Sequence, residues 1–353
     1  MRSSSLAALL AAATTALPVA AQLPRFETKQ ALENIRFISR DGLQTYAQKR
    51  SGGLTLIANF RASELVAGEP GTNYLVTSSP ARGKVVIEVE RAWHQELDPT
   101  KLHDLLVAPL GATKTTPVGR GRDPRLQLGD EWLTWYDPKE KAIHVQFLPV
   151  RDRHYLIRLS RKHNPFFRPQ VAMINPETVL YTDVNEQGFA ALLSYNLLSN
   201  QLTVLRKAEQ SGTRMEICRH DRYLALGEFS YDDANRGSAI HVMAWQGAPA
   251  VGGLATLYKS SDNDLGQMVC AADRVWFVKT VAEDRKWNNR LTEAASMEFP
   301  SGKIEVKTRM ERVTQLIEVD GRVFIPFRGE TFVLSGDTGS KQDRLPGPQG
   351  AQP

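Results

Sequence analysis

The sequence predicts an all-β protein: a β-propeller of four-stranded antiparallel blades, with about seven blades and with six or eight as alternatives. Two observations carry this prediction. Residues 168–207 hold four short β-type segments separated by three turn sequences, which is the pattern of one antiparallel meander. Similar units then recur every 44 to 52 residues, the length of a propeller blade. Apolar residues show almost no 3.6-residue period beyond the first residues, which argues against helical repeats.

The segment 168–207 serves as the reference unit for the rest of the chain. Asn175-Pro176, the sequence from Asn185 to Gly188, and Ser199-Asn200 supply its turns. A single meander cannot bury both faces of its sheet, so it requires neighbours of the same kind. The four predicted strands are residues 171–174, 178–184, 189–196 and 202–205.

Copies of this unit follow from residue 125 onward. The second strand of each unit starts at Trp132, Val179, Tyr223, Val275 and Val323, at offsets of 47, 44, 52 and 48 residues. The predicted third strands are 142–148, 189–196, 239–245, 291–299 and 331–335. The predicted fourth strands are 155–160, 202–205, 255–259 and 304–308.

The chain before residue 125 has a less regular register. Its predicted strands are 35–39, 43–48, 54–60, 74–78, 84–90 and 102–109, and a long loop rich in Gly, Thr, Pro and Arg is predicted for 111–124. The last unit lacks a fourth strand, so a strand near 25–30 is expected to complete that sheet. The predicted domains are a signal peptide at 1–21, the propeller at 22–335 and a disordered tail at 336–353.

The N-terminus has the pattern of an export signal. Arg2 is followed by an apolar segment at 6–16, and Val19-Ala20-Ala21 places small residues before a cleavage site after Ala21. No Asn lies in an Asn-x-Ser/Thr glycosylation sequence, which favours a bacterial source. The predicted location is therefore the periplasm, or the medium after secretion. No later apolar segment has the length of a membrane span.

The two cysteines, Cys218 and Cys270, allow two interpretations. Export to an oxidising compartment favours a disulfide between them. The repeat instead places them at equivalent positions of adjacent sheets packed about 10 Å apart, beyond disulfide reach. On that geometry, the sequence predicts two buried thiols.

The reference unit resembles the bacterial periplasmic propellers of the TolB and WD40-like group. Pro169 enters the first strand, a turn spans residues 175–178, and a strand containing Tyr181 follows, as in that group. The resemblance is one of architecture and covers about two thirds of the chain. It implies a binding scaffold, since most members of that group act by holding partners.

Motifs for metal or cofactor chemistry are absent from the sequence. The seven histidines show no ligand spacing; His154 and His163 lie close in sequence and are interpreted as surface residues. There is no Gly-x-Ser-x-Gly, P-loop or dinucleotide fingerprint. We therefore expect no metal and no cofactor, and the balance is against an enzyme. The competing class is a propeller hydrolase or lyase that acts on an envelope or extracellular polysaccharide.

Two surfaces are candidates for partner binding. The loops between second and third strands share one face of a propeller, where they would form either a recognition face or a solvated rim. The basic segment 151–168 contains six Arg or Lys residues against one Asp, which suits an anionic partner or protects a sheet edge. We expect an envelope protein or anionic envelope polymer, and no nucleic acid. The predicted partner-binding residues are Asp232, Asp233, Arg236, Arg285, Trp287 and Arg290 in the loops, with Arg153 and Arg158 in the basic segment.

Overall fold

The computed structural model describes most of the chain between residues 35 and 334. Its described residues group into two compact units, one formed within 1–78, 82–98 and 103–120, the other within 99–102 and 121–334. The described residues are 35–38, 44–48, 52–58, 61–68, 71–78, 83–91, 98–164, 168–185, 187–209, 212–219, 223–230, 237–244, 253–261, 265–271, 274–284, 289–299, 301–311, 316–319, 322–327 and 330–334.

The first unit holds antiparallel strands that pair in chain order. Strands β1–β4 form one sheet, and β5, β6 and β7 follow each other in the next. A core that includes Tyr46, Leu56, Tyr74 and Ile87 joins these strands. The strands are β1 (Ile35–Ile38), β2 (Gln44–Gln48), β3 (Leu54–Ala58), β4 (Arg61–Val66), β5 (Asn73–Ser78), β6 (Lys84–Glu90) and β7 (His103–Pro109).

The second unit repeats the four-stranded meander. Strand β8 (Thr116–Gln127) begins in the first unit, and its second half pairs with β9 in the second. Each further sheet pairs its strands in chain order. The strands are β9 (Trp132–Asp137), β10 (Ala142–Phe147) and β11 (His154–Arg158); β12 (Val171–Asn175), β13 (Thr178–Val184), β14 (Ala190–Asn196) and β15 (Leu202–Lys207); β16 (Thr213–Arg219), β17 (Tyr223–Ser230), β18 (Ser238–Ala244) and β19 (Ala255–Ser260); β20 (Leu265–Ala271), β21 (Arg274–Asp284), β22 (Asn289–Glu298) and β23 (Ile304–Glu311); and β24 (Ile317–Val319), β25 (Arg322–Phe327) and β26 (Glu330–Leu334).

Burial decreases from the second strand of a sheet to the fourth. Every residue of β9 is buried, and so are all residues of β13 except its last. A strand covered on both faces reads as a near-continuous apolar segment, which is why these second strands marked the repeat in the sequence. The fourth strand β15 is mostly exposed. The all-β class and the four-stranded meanders are thus confirmed, and every described element is a strand.

The fourth strands contain a recurrent β-bulge. In four sheets one residue of the outer strand has no partner in the register: Leu65, Leu205, Leu257 and Lys307. Leu65 and Leu205 are buried at these positions. A bulge bends a strand and re-aims one side chain, so an apolar residue enters the core from an exposed edge. It also interrupts the regular edge that would otherwise template pairing with another sheet.

One expectation for the backbone is wrong, and one strand was not predicted. Residues 111–124 were predicted as a loop, but 116–127 form strand β8. Asp123 adopts φ of 51° and Pro124 follows it, and the register skips here between Arg122 and Arg125. The Gly, Pro and Arg residues of this segment therefore belong to an irregular strand. Such residues are common in loops, which explains why the composition predicted a loop here. Strand β4 was not predicted, because its exposed polar residues carry no strand pattern.

The prediction of two separate thiols is also wrong. Cys218 and Cys270 form a disulfide, with Cα atoms 5.5 Å apart. They lie on β16 and β20, the first strands of consecutive sheets, which contact each other directly. The spacing of about 10 Å holds for the flat faces of stacked sheets. It does not hold where two neighbouring first strands converge.

Several predictions fall outside the described residues. These are the signal peptide at 1–21, the strand near 25–30 and the tail at 336–353. The domain boundaries and the number of blades stay predictions. In the part of the chain that the structure describes, no helix has the length and apolar character needed to cross a bilayer.

Candidate functional site

The sheet of β9, β10 and β11 presents two chemically different faces. The register pairs Trp135 with His144, and Asp137 with Ala142, which in turn pairs with Arg158. Directly opposed residues share a face of the sheet, and so do residues two apart on one strand. Trp135, Asp137, His144, His154 and Arg158 therefore lie on one face. The opposite face is apolar and belongs to the core shared with β12–β15.

Three aromatic rings are stacked on the polar face. The ring centroids of Trp135 and His144 are 4.8 Å apart, those of His144 and His154 are 5.1 Å apart, and those of Trp135 and His154 are 5.6 Å apart. The ring planes are within 16° of parallel. The three distances are similar, so the two imidazoles lie side by side against the indole; Trp135 is buried and His154 is exposed. Stacking fixes both imidazole planes.

The two imidazoles also contact each other through nitrogen. Nδ1 of His144 lies 3.0 Å from Nε2 of His154. Nε2 of His144 is buried and has no hydrogen-bond partner within the described residues. Burial, and then the neighbouring His154, lowers the pKa of His144 below its ordinary value. Burial also lowers the pKa of His154. Both rings therefore favour the neutral form, in which one ring nitrogen carries a proton and the other a lone pair.

The turn between β9 and β10 brings two carboxylates to this stack. Oδ1 of Asp137 accepts hydrogen bonds from the backbone N–H groups of Lys139, at 2.8 Å, and Glu140, at 3.0 Å. This Asx turn holds the buried Asp137 carboxylate and places Glu140 at the turn. Potential ligand atoms of Asp137, Glu140 and His144 all lie within 4.8 Å of one another. The three side chains form a group of potential metal ligands that the sequence did not predict.

The predicted basic residues have different roles. Arg158 is exposed on β11, the last strand in the order of its sheet. Arg153 is half-buried, with its guanidinium 5.0 Å from the ring centroid of Trp132 and 5.3 Å from that of Phe147. Its Nε also donates to the hydroxyl of Tyr155 at 3.3 Å. Arg153 thus caps the core of its own sheet, whereas Arg158 faces solvent.

Two buried histidines away from this stack pair with carboxylates on strands. Nδ1 of His163 lies 2.9 Å from Oδ1 of Asp183, which also accepts the backbone N–H of Val184. Because His163 is buried, its interpretation as a surface histidine is wrong. Nδ1 of His103 lies 2.5 Å from Glu88 in the same manner.

A charged residue occupies the sixth position of four second strands. The position is counted from the first residue of each strand. Its occupants are Asp137 in β9, Asp183 in β13, Glu228 in β17 and Lys279 in β21. Each has a polar partner: the turn N–H groups for Asp137, His163 for Asp183, Arg206 and His241 for Glu228, and Glu293 for Lys279. At this level a polar layer crosses the otherwise apolar second strands of the second unit.

The predicted loop surface lies largely outside the described residues. Asp232, Asp233, Arg236, Arg285 and Trp287 belong to segments that the structure does not describe. The backbone of Arg290 is part of β22. The grouping of these six residues into one recognition face stays a prediction. The histidine stack, in contrast, was missed because ten residues separate His144 from His154, and only strand pairing brings them together.

Comparison with known proteins identifies the fold. No protein-family model and no curated protein matches the sequence. A solved prolyl endopeptidase matches with 9% identity and a TM-score of 0.60, over 91% of this chain and 51% of that one. The β-propeller domain of the Trilobed protease from Pyrococcus furiosus matches with 10% identity and a TM-score of 0.54, over 90% of this chain and 98% of that domain. TolB from Acinetobacter baumannii matches with 12% identity over 74% of this chain and 75% of its own, at a TM-score of 0.43.

The chain is therefore a β-propeller protein. It covers almost the whole of an isolated propeller domain, and it spans about half the length of the prolyl endopeptidase that it matches. The predicted β-propeller architecture is confirmed by the two matches with TM-scores of 0.60 and 0.54. Identities of 9 to 12% show the fold alone.

Proposed function

We propose that this propeller is an exported, non-enzymatic interaction scaffold of the bacterial periplasm or envelope. Export is supported by the predicted signal peptide at 1–21 and by the disulfide between Cys218 and Cys270, because such bonds persist in oxidising compartments. The scaffold role is supported by the fold, which suits the presentation of loops and strand edges to a partner.

The proposal rests mainly on the outer edge of the β8–β11 segment, which is rich in basic residues. β11 ends the strand order there, so within the described residues its outer backbone edge pairs with no further strand. Arg158 is exposed on this strand, and Arg151, Arg161 and Lys162 are exposed beside it. An extended acidic segment of an envelope protein would gain main-chain hydrogen bonds from the edge and electrostatic attraction from these cations. An anionic envelope polymer is the alternative partner.

The histidine-paired carboxylates of the described residues support a non-enzymatic role. Asp183, Glu228 and Glu88 are each engaged by a histidine, and these contacts tie each strand to a neighbouring strand or connection. The alternative function is a hydrolase or lyase that acts on an envelope or extracellular polysaccharide. That function requires two carboxylates at glycosidase separation in a substrate pocket. The predicted loop surface with Trp287 and Arg290 is the second candidate interface of the scaffold.

A pull-down from envelope extract with the tagged mature chain tests the proposal. The double variant Arg158→Glu, Lys162→Glu should lose the captured partner. Lys259→Glu is the matched control, since Lys259 is an exposed cation on β19, the outer strand of another sheet. If the partner is lost only with the Trp287→Ala and Arg290→Ala variants, the interface lies in the loops. Unchanged capture by all variants would refute both interfaces, and release of reducing sugar ends from envelope polysaccharide would favour the enzyme.

A further inference from the structure

The β9–β10 hairpin carries a group of metal-type ligands that has no part in the scaffold proposal. Asp137, Glu140 and His144 each place one potential ligand atom within 4.8 Å of the others. One nitrogen and two carboxylate oxygens converge on a single region. The imidazole is presented on a regular strand of a packed sheet, and the first carboxylate is held by the turn that follows the neighbouring strand.

The free atoms of these residues are the ones that a cation needs. Asp137 uses Oδ1 for the backbone N–H groups of Lys139 and Glu140, which leaves Oδ2 for a further partner. His144 uses Nδ1 for His154, and its Nε2 is buried without a hydrogen-bond partner in the described part of the chain. A buried imidazole nitrogen normally has a partner, and the unpaired Nε2 of His144 is therefore available to a ligand.

The contact between the two imidazoles is compatible with a tautomer that leaves one ring nitrogen of His144 free. If Nδ1 of His144 carries the proton and donates it to Nε2 of His154, then Nε2 of His144 has its lone pair free. Metal-binding histidines show this arrangement, in which one ring nitrogen binds the metal and the other donates to an outer group. The parallel stack on Trp135 fixes both ring planes, so His154 acts here as a positioning residue.

We propose that Asp137, Glu140 and His144 bind one divalent cation of the zinc class, with His154 positioning the imidazole of His144. An imidazole with carboxylates suits Zn²⁺ and its neighbours, whereas Ca²⁺ and Mg²⁺ prefer oxygen ligands alone. Ligand atoms around a tetrahedral Zn²⁺ are roughly 3.4 Å apart for metal–ligand distances near 2.1 Å. Glu140 is exposed, so its side chain is free to move inward from the present spacing. Water completes the coordination.

Calorimetric titration of the metal-free, full-length chain with Zn²⁺ tests this site, with a purification tag that contains no histidine. The wild type should bind one Zn²⁺ per chain, and Mg²⁺ and Ca²⁺ should not compete. Glu140→Gln should lower the affinity at least tenfold without a change in thermal stability, because this side chain is exposed. Glu131→Gln, an exposed carboxylate in the preceding turn, is the matched control and should bind as the wild type does.

The positioning role has its own test. His154→Phe preserves an aromatic ring in the stack but removes the acceptor nitrogen, and should lower the affinity about 10- to 100-fold. His154→Gln, which retains an acceptor, should restore part of the loss. Equal affinities for the wild type and His154→Phe would overturn the positioning role. Absence of saturable Zn²⁺ binding by the wild type, or equal affinities for the wild type and Glu140→Gln, would overturn the site.

Discussion

Replacement of Arg206 is the most direct test of whether the polar layer of the second strands stabilises the fold. It lies on β15 and reaches Glu228 on β17 of the next sheet, with Nε at 2.7 Å from Oε1 and Nη2 at 3.4 Å from Oε2. Nε2 of the buried His241 lies 3.3 Å from the same carboxylate. Burial alone would raise the pKa of Glu228, but the contacts with His241 and Arg206 outweigh it and lower the pKa.

Replacement of Arg206 by Met keeps an unbranched apolar stem and removes the charged guanidinium. Loss of one partner from a fully buried ion pair destabilises a protein by about 3–5 kcal/mol. The side chain of Arg206 is 30% exposed and that of Glu228 13% exposed, so solvent screens the pair in part. His241 also continues to contact Glu228. We therefore expect a loss of about 2 kcal/mol in the free energy of unfolding.

Urea unfolding at pH 7 and at pH 3 measures this effect. A carboxyl with a lowered pKa contributes stability above its unfolded pKa near 4.5, and this contribution is lost as the pH falls through its folded pKa. The difference between wild type and Arg206→Met should therefore shrink at pH 3. Arg168→Met, which removes a pair that is 41% and 26% exposed, is the control and should lose no more than about 1 kcal/mol. Equal losses for both variants, or a difference independent of pH, would refute the reasoning.

Three further predictions concern the core and the candidate site. Replacement of Cys218 and Cys270 by Ser should cost about 4 kcal/mol, since the bond closes a loop of 52 residues, and thermal unfolding with and without reductant measures it. Gly121→Ala should cost roughly 1–3 kcal/mol and weaken the near-ultraviolet dichroism of Trp135, because its Cβ would lie 2.3 Å from Cδ1 of that indole. Burial, helped by nearby carboxylates, raises the pKa of Tyr136 to about 12, so stability should fall as the pH rises above 10; Tyr136→Phe should flatten this slope in alkaline unfolding curves.

The second strands were predictable because burial on both faces determines their sequences. Strands such as β9 and β13 are covered on both faces, and their sequences WLTWYD and TVLYTDV show this directly. The outer strands are half-exposed and bulged, so their alternation is broken where Leu205 or Leu257 enters the core. Strand β8 was missed because Asp123-Pro124 interrupts its ladder.

The candidate site could not be predicted from the hydrophobic periodicity of the sequence. Arg153 and Arg158 stood out as charges, but only the packing shows that the first is stacked over Trp132 while the second faces solvent. The disulfide depended in the same way on the approach of two first strands. A one-residue change in the register between β10 and β11 would place His154 on the apolar face.

The sequence by itself determined the all-β class, the repeat of about 48 residues and the position of each second strand after residue 125, because burial on both faces leaves a local apolar signature. The tertiary structure alone decided which distant side chains meet. The stack of Trp135, His144 and His154 and the bond between Cys218 and Cys270 arise from strand register and from the approach of adjacent sheets. Both depend on contacts between residues far apart in the chain, and a spacing pattern along one strand cannot encode them.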